Sequence, residues 1–252
     1  MGVSGLPDDK PGGGAMRSGV PITDSIGGLY AYGAILTALH HRDRVSGEGQ
    51  FIDLALLDCA ISATTVASVN YLVNGVVQQR WGNESANSVP SQVLRCADGE
   101  VQISAPSDDV FVRLCKAFDR PDLLKDERFA TARDRVKHRR ELAPIIETLF
   151  AARTRSELIA LLDAHTVPCA PIYAVDEVFA DPQVVHRANT VEVPHPTLGT
   201  LRFGTNPMRL SATPVDGYKA PPGLGQHTDE VLKEILSLGD EDISALRQKK
   251  II

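Results

Sequence analysis

Between residues 24 and 41 apolar side chains recur at the spacing of an α-helix, with Leu29, Tyr32, Ile35, Leu36 and Leu39 on one stripe. Asp24 stands at the start of that pattern, where a carboxylate accepts hydrogen bonds from the free N–H groups of a first turn. The charged run His41-Arg42-Asp43-Arg44 ends the helix, and the segment SGEGQ makes a tight turn. QFIDLALLD then alternates in part, which predicts a strand leading into CAISATTVASVNYLV, a second helix of apolar and small residues. The first 22 residues are rich in glycine and proline, carry no hydrophobic period, and read as loop.

After Asn74 the chain turns polar and irregular in GVVQQRWGNESANSVPSQ, as a surface or active-site loop does. VLRCADGEVQISA predicts a hairpin around Asp98-Gly99, followed by a helix from Asp108 to Phe118. ELAPIIETLFAA repeats apolar positions at Leu142, Ile145, Ile146, Leu149 and Phe150, and TRSELIALLDAH follows behind a Thr154/Glu157 capping box. VDEVFADPQV is a short helix broken at Pro182. In VEVPHPTLGTLRF, Val191 and Val193 are expected to face Leu201 and Phe203 in a second hairpin. The tail predicts two short helices separated by Gly239. The pattern is α/β at both ends of the chain with a smaller α+β insertion between, and it lacks the strand-helix run of a full nucleotide-binding sheet.

Composition narrows the function classes. The 252 residues carry 26 Lys+Arg against 32 Asp+Glu, a formal charge of −6, which argues against nucleic acid or a membrane surface as partner. No apolar run approaches the roughly 20 residues that span a bilayer, and the segment MGVSGLPDDKPGGG has no apolar targeting stretch. Cys59, Cys96, Cys115 and Cys169 are widely spaced with no CxxC pair, as expected of reduced, buried thiols in a cytoplasmic protein that binds no metal.

Asp24 is the sharpest candidate for chemistry. Gly27 and Gly28 follow it, so main chain lies close by without side chains to crowd a reacting carbonyl, and N–H groups there can stabilise an oxyanion. An ordinary helix cap explains the same residue equally well. His40 and His41 fit a helix end, His138 stands four residues after Asp134 on one expected helix face, His195 lies between two prolines, and His227 precedes a Thr228 cap near an expected domain interface. The basic run RDRVKHRR (133–140) has no interleaved aromatics and reads as the wet face of a helix. PGGG is followed by no Gly-Lys-Ser/Thr and is not a phosphate loop.

Seven stretches together carry a resemblance. They are MRSGVPITDSIGGLYAYGAILTALHHRDRVSGEGQFIDLALLDC, WGNES, ADGEVQISAPSDDVFVRLC, DERFATARDRVKHR, TVPCAPIYAVDEVFADPQV, HPTLGTLRFGTNPMRLSATP and PPGLGQHTDEVL. In this order the chain resembles the carboxyl-terminal part of the class III CoA-transferases, the CaiB/BaiF type that includes formyl-CoA transferase, carnitine CoA-transferase and α-methylacyl-CoA racemase. The resemblance makes Asp24 the catalytic aspartate. It implies CoA transfer from an acyl-CoA thioester to a carboxylic acid through covalent aspartyl intermediates, with CoA as substrate and no permanently bound cofactor.

The same resemblance implies an incomplete Rossmann-type large domain with an inserted small α+β domain, and an interlocked dimer when the amino-terminal half is supplied. Residues 1–73 would belong to the large domain, 74–211 would form a linker loop and the small domain, and 212–252 would return to the large one. By this resemblance the chain is expected to lack the amino-terminal half of the large domain, which would carry most CoA contacts, and the partners implied are a second copy or that half. Where formyl-CoA transferase has a glycine-rich lid, this chain has WGNESANSVPSQ, whose Asn83 and Ser85 are placed near substrate. Formate and oxalate lose support thereby, and APSDDVFVRLC and GLGQHTDE disfavour a racemase. The reading set against an active transferase is a non-catalytic or truncated subunit of one.

Overall fold

The computed structural model describes residues 4–252. It is a mixed α/β structure of helices and small sheets, and it divides into two compact units, Met1–Ile172 and Tyr173–Ile252.

In the first unit a minimal antiparallel pairing of β1 (Gly5–Leu6) with β2 (Gly14–Ala15) interrupts the expected opening loop. Helix α1 (Ile22–His41) begins two residues before the expected start and passes into a π turn, Arg42–Ser46. Gly47 closes it at φ 74°, a left-handed conformation that glycine adopts without strain, and its N–H bonds to the Arg42 carbonyl at 2.9 Å. The strand expected over QFIDLALLD does not form: it has no partner strand among the described residues, and residues 50–55 run irregularly into α2 (Leu56–Ala63). The second helix is also not continuous. Thr65 takes φ 39°, and α2 meets α3 (Val66–Asn74) at an 84° bend. Among the described residues no single helix is long and apolar enough to cross a membrane.

The core lies further along. Strands β3 (Ser91–Cys96) and β4 (Gly99–Ser104) pair in register from Ser91 opposite Ser104 to Cys96 opposite Gly99. The hairpin turn is therefore Ala97-Asp98, one residue earlier than expected, because Gly99 is already paired. Against this sheet come α4 (Asp108–Ala117), α5 (Pro121–Lys125), a single 3₁₀ turn (Glu127–Phe129), α6 (Ala132–Lys137), α7 (Arg139–Ala151) and α8 (Arg155–Ala164). Strand β5 (Cys169–Pro171) then adds antiparallel to β4, so the order is β3-β4-β5.

Helical spacing explains what is buried: Phe111, Leu114 and Cys115 from α4, Leu142, Ile146 and Phe150 from α7, and Leu158 and Leu162 from α8. Alternate positions of β4 add Val101 and Ile103. Phe118 and Phe150 stack at a centroid distance of 5.1 Å. The Thr154/Glu157 capping box forms as expected, with the Glu157 carboxylate accepting from the Thr154 N–H at 2.8 Å. In contrast, the stripe on α1 is not covered: Leu29 is 71% exposed and Leu36 47%.

The basic run is a wet helix face only in part: Arg133, Lys137 and Arg140 are exposed, whereas Arg135 and Arg139 are buried. Arg135 has 0% exposure; its guanidinium donates to the Val89 and Phe129 carbonyls at 3.0 and 3.1 Å, pairs with Asp108 at 2.9 Å, and lies 4.4 Å above the Phe111 ring. A planar cation with several donors can enter a core where main-chain oxygens and a ring face compensate its desolvation.

In the second unit, α9 (Val175–Ala180) and α10 (Pro182–His186) are separated at Asp181, whose carboxylate caps α10 by accepting from Gln183 and Val184 N–H. Strands β6 (Thr190–His195) and β7 (Gly199–Gly204) pair as expected, Val191 opposite Phe203 and Val193 opposite Leu201. Helices α11 (Thr228–Leu236) and α12 (Asp240–Gln248) follow on either side of Ser237-Leu238-Gly239. His227, not Thr228, holds the cap position of α11. Arg247 of α12 pairs with Asp229 of α11 at 2.5 Å. Among the described residues all three sheets are antiparallel.

Candidate active site

Asp24 occupies the first turn of α1 with its side chain exposed. It is not the helix cap. Pro21 holds that position, with its carbonyl accepting from the Ser25 N–H at 3.1 Å and from the Ser25 hydroxyl at 3.2 Å, and its own side chain makes no capping bond. Proline at the entrance fixes φ near −65° and lets the helix begin before the aspartate. The carboxylate therefore stands at the positive end of a 20-residue helix without being consumed by a capping role.

The two glycines after it differ. Gly27 is buried, and a Cβ there would lie 2.8 Å from the Leu56 Cδ2, so a side chain at this position would make the Leu56 side chain of α2 shift. Tyr30 Oη and Ser62 Oγ, 2.5 Å apart, tie the same two helices. Gly28 faces open space and leaves its side of the helix uncrowded near Asp24.

Asn83 and Ser85 lie on a loop with a defined path. Asn83 is exposed and its carbonyl accepts from Val93 N–H at 3.4 Å; the Ser85 N–H donates to Ser91 at 2.9 Å. Gly82 N–H reaches the Gly5 carbonyl at 2.8 Å. On the other side stands Arg139, 8% exposed, the second corrected member of the basic run. Its guanidinium donates to the Ser85 and Ala86 carbonyls at 3.1 and 2.6 Å, contacts the Glu84 carboxylate at 3.3 Å, and lies 4.1 Å over the Trp81 ring.

A cavity of about 310 Å³ opens beside the loop, lined by Leu6, Met16, Trp81, Asn83 and Glu84 among others. A larger open groove of about 1250 Å³ runs past Trp81, Arg80, Lys137 and Arg139. Asp24 lines neither, so the loop residues and the aspartate are not gathered in one cavity here.

The other candidates have local roles. His138 pairs with Glu141 at 3.4 Å rather than with Asp134, whose carboxylate accepts from Thr131 Oγ1 at 2.6 Å; the break between α6 and α7 separates the two expected partners. His195 Nδ1 accepts from the Thr197 and Leu198 N–H groups in the β6–β7 turn, and His227 lies 2.8 Å from Glu230. His40 and His41 end α1. All four cysteines are free, and burial pushes the Cys115 thiol up to about 11. Among the described residues no group of three His, Cys, Asp or Glu side chains is placed to hold a metal.

Sequence reasoning missed Arg139 and Trp81. They are far apart in the chain, and no local spacing marks an arginine that folds inward onto a distant loop.

Comparison with known proteins defines the class. Residues 1–228 match the model of CoA-transferase family III, and the chain belongs to that family. It is 35% identical, over 98% of its length, to the succinyl-CoA:glutarate CoA-transferase of Mus musculus, of which it covers 55%. To the succinyl-CoA–D-citramalate CoA-transferase of Chloroflexus aurantiacus it is 34% identical over 99% of its length, covering 61% of that protein. The crystal structure of a CAIB/BAIF family protein from Brucella suis superposes with a TM-score of 0.76 at 33% identity, over 92% of this chain and 60% of that one. The chain spans about half the length of the curated relatives it matches.

Proposed function

We propose that this chain supplies the aspartate-bearing part of a CoA-transferase that moves CoA from an acyl-CoA thioester to a carboxylic acid. The Asp24 carboxylate attacks the thioester carbonyl and expels CoA thiolate, leaving a mixed anhydride. The thiolate attacks the aspartyl carbonyl, releases the donor acid and leaves an aspartyl-CoA thioester. The acceptor carboxylate attacks that thioester, and CoA returns to the acceptor acyl group of the second anhydride, regenerating Asp24. Each intermediate is an activated form of one carboxyl, so donor and acceptor need not be bound together.

The observation that carries the reading is the family match across residues 1–228 with Asp24 on the exposed first turn of α1, beside the uncrowded Gly28. Because α1 starts at Ile22, the Gly27 and Gly28 N–H groups lie inside its hydrogen-bond ladder and are not free oxyanion donors; Gly28 is proposed to give open space beside Asp24, and Asn83 and Ser85 are proposed to face the substrate. The names of the relatives point to dicarboxylic acids as the first donors and acceptors to try. The exposed apolar faces of α1 to α3 support a partner for this part, either a second copy or a complementary amino-terminal portion. The organisation into a large Rossmann-type domain and an inserted small one, 74–211, and the cytoplasmic setting, are proposed with it. A chain that only scaffolds such an enzyme is the second reading, favoured by those same uncovered faces.

The test is CoA transfer from succinyl-CoA to glutarate by wild type and Asp24→Asn, each alone and joined to the amino-terminal portion of a relative. Loss of about 10³-fold or more in kcat with Asp24→Asn supports a nucleophile. Full transfer by the variant removes Asp24 from the chemistry. Transfer by neither form favours the scaffold reading.

A further inference from the structure

We propose that Arg139 is a positioning residue that holds the Trp81–Ala86 loop in one geometry and thereby sets the placement of Asn83 and Ser85. The substrate side of this inference rests on the transferase reading. The loop side stands on geometry alone. One nearly buried guanidinium reaches four consecutive-turn elements of the loop: the Trp81 ring face at 4.1 Å, the Glu84 carboxylate at 3.3 Å and the Ser85 and Ala86 carbonyls at 3.1 and 2.6 Å. Its anchor is α7, whose Leu142, Ile146 and Phe150 are buried in the core, so a rigid post meets the loop through side-chain contacts, beside the main-chain bonds that lay residues 83–85 along β3 at residues 91–93. At the start of the loop the Gly82 N–H is tied to the Gly5 carbonyl at 2.8 Å, whereas Trp81 and Ala86 are the ends that the guanidinium itself holds.

The fork of donors is the specific requirement. Two carbonyls and a carboxylate are met by separate N–H groups of one plane while its face covers the indole, an arrangement an ammonium group does not reproduce. Removing the guanidinium frees main-chain oxygens that water can satisfy, since the loop is at the surface. The core below does not depend on it.

Trp81 is the one tryptophan of the chain, so its fluorescence reports on this loop and nothing else. Acrylamide quenching of Trp81 is to be measured on the folded chain for wild type, Arg139→Gln, Arg139→Lys, and the control Arg135→Gln, with Thr154→Ala as a second control should the buried Arg135 variant fail to fold. Holding by Arg139 predicts a quenching constant raised about twofold or more in both Arg139 variants, with helical circular dichroism retained. The controls lower the melting temperature and leave the quenching of the folded form at its wild-type value. Unchanged quenching in Arg139→Gln overturns the proposal, and so does an equal rise in the controls.

The transfer assay with Asp24→Asn separates this from the functional reading. Where wild type transfers CoA and Asp24→Asn does not, Arg139→Lys is expected to raise KM for the acceptor acid about tenfold with a smaller change in kcat. An unchanged KM there removes the substrate role of the loop. Where wild type shows no transfer, or Asp24→Asn retains it, the functional reading fails while the quenching result still decides what Arg139 does.

Discussion

Helices α1 and α7 carry the same kind of apolar repeat and meet opposite fates. In α7 the repeat is buried against α4, α8 and the β3-β4-β5 sheet, whereas in α1 Leu29, Tyr32, Ile35, Leu36 and Leu39 are all exposed, and only Gly27 is buried. Helices α2 and α3 follow α1, with Cys59 their only buried residue among those described. Periodicity states that a face is apolar; it does not state where the cover comes from. The segment 89–167 finds its cover locally, and the segment 22–74 presents an apolar area of the kind that contact surfaces have.

The largest effect that tests this contrast is a paired truncation. Phe150→Ala is expected to cost about 3–5 kcal/mol, from lost transfer energy and the cavity left behind, while Leu36→Ala stays within about 0.5 kcal/mol in the chain alone. Denaturant unfolding measures both, and equal costs would show that α1 is packed in solution. Thr154→Ala, which breaks the capping box of α8, is expected to cost about 1 kcal/mol by the same measurement. Gly28→Ala should stabilise α1 by up to about 1 kcal/mol, since its Cβ meets nothing. A destabilisation instead would place hidden packing on that face.

Thiol labelling sharpens the comparison without mutation. Cys59 and Cys115 are both 2% exposed, but Cys59 has thin cover from α1 and Cys115 sits in the main core. Cys59 is expected to react in the folded chain through local opening, and Cys115 only on global unfolding. Burial, which raises the folded-state Cys115 value, also leaves almost no thiolate to react before the chain unfolds.

The smallest effect is in acid. A hydrogen bond from the Arg155 N–H holds Asp98 below its ordinary carboxylate value, the Arg128 side chain does the same for Asp126, and the Thr154 N–H for Glu157. Lowered folded-state values contribute stability that is full above the unfolded values and is lost as pH falls through the folded ones. The melting temperature of the core should therefore be insensitive to these groups near neutrality and drop below about pH 4. Asp98→Asn should blunt that drop, and an unaltered acid limb would show that its bond to Arg155 contributes nothing.

Much of the fold was legible because it is local. The Thr154/Glu157 box, the β6–β7 register and the helix break at Asp181-Pro182 each depend on residues a few positions apart. The strand expected over QFIDLALLD needed a partner that alternation cannot report, and β5 escaped notice because three residues carry no period. Within the candidate site, Asp24 was found from its place before a helix, though as a cap its reading was wrong by three residues. Arg135 and Arg139 were misread because charge runs ordinarily face water, and only the carbonyls and rings brought to them by the fold make burial tolerable.

The central claim is that Asp24 becomes covalently activated. Trypsin cleavage after Arg17 and Arg42 leaves Asp24 as the only side-chain carboxylate in the peptide 18–42. Hydroxylamine added during turnover with succinyl-CoA, using whichever form of the protein transfers CoA, converts an activated aspartyl group to a hydroxamate that mass spectrometry reads on that peptide. Hydroxamate is expected on peptide 18–42 only when acyl-CoA is present, and none in Asp24→Asn. An active preparation whose peptide 18–42 stays unmodified while another carboxylate is trapped would contradict it.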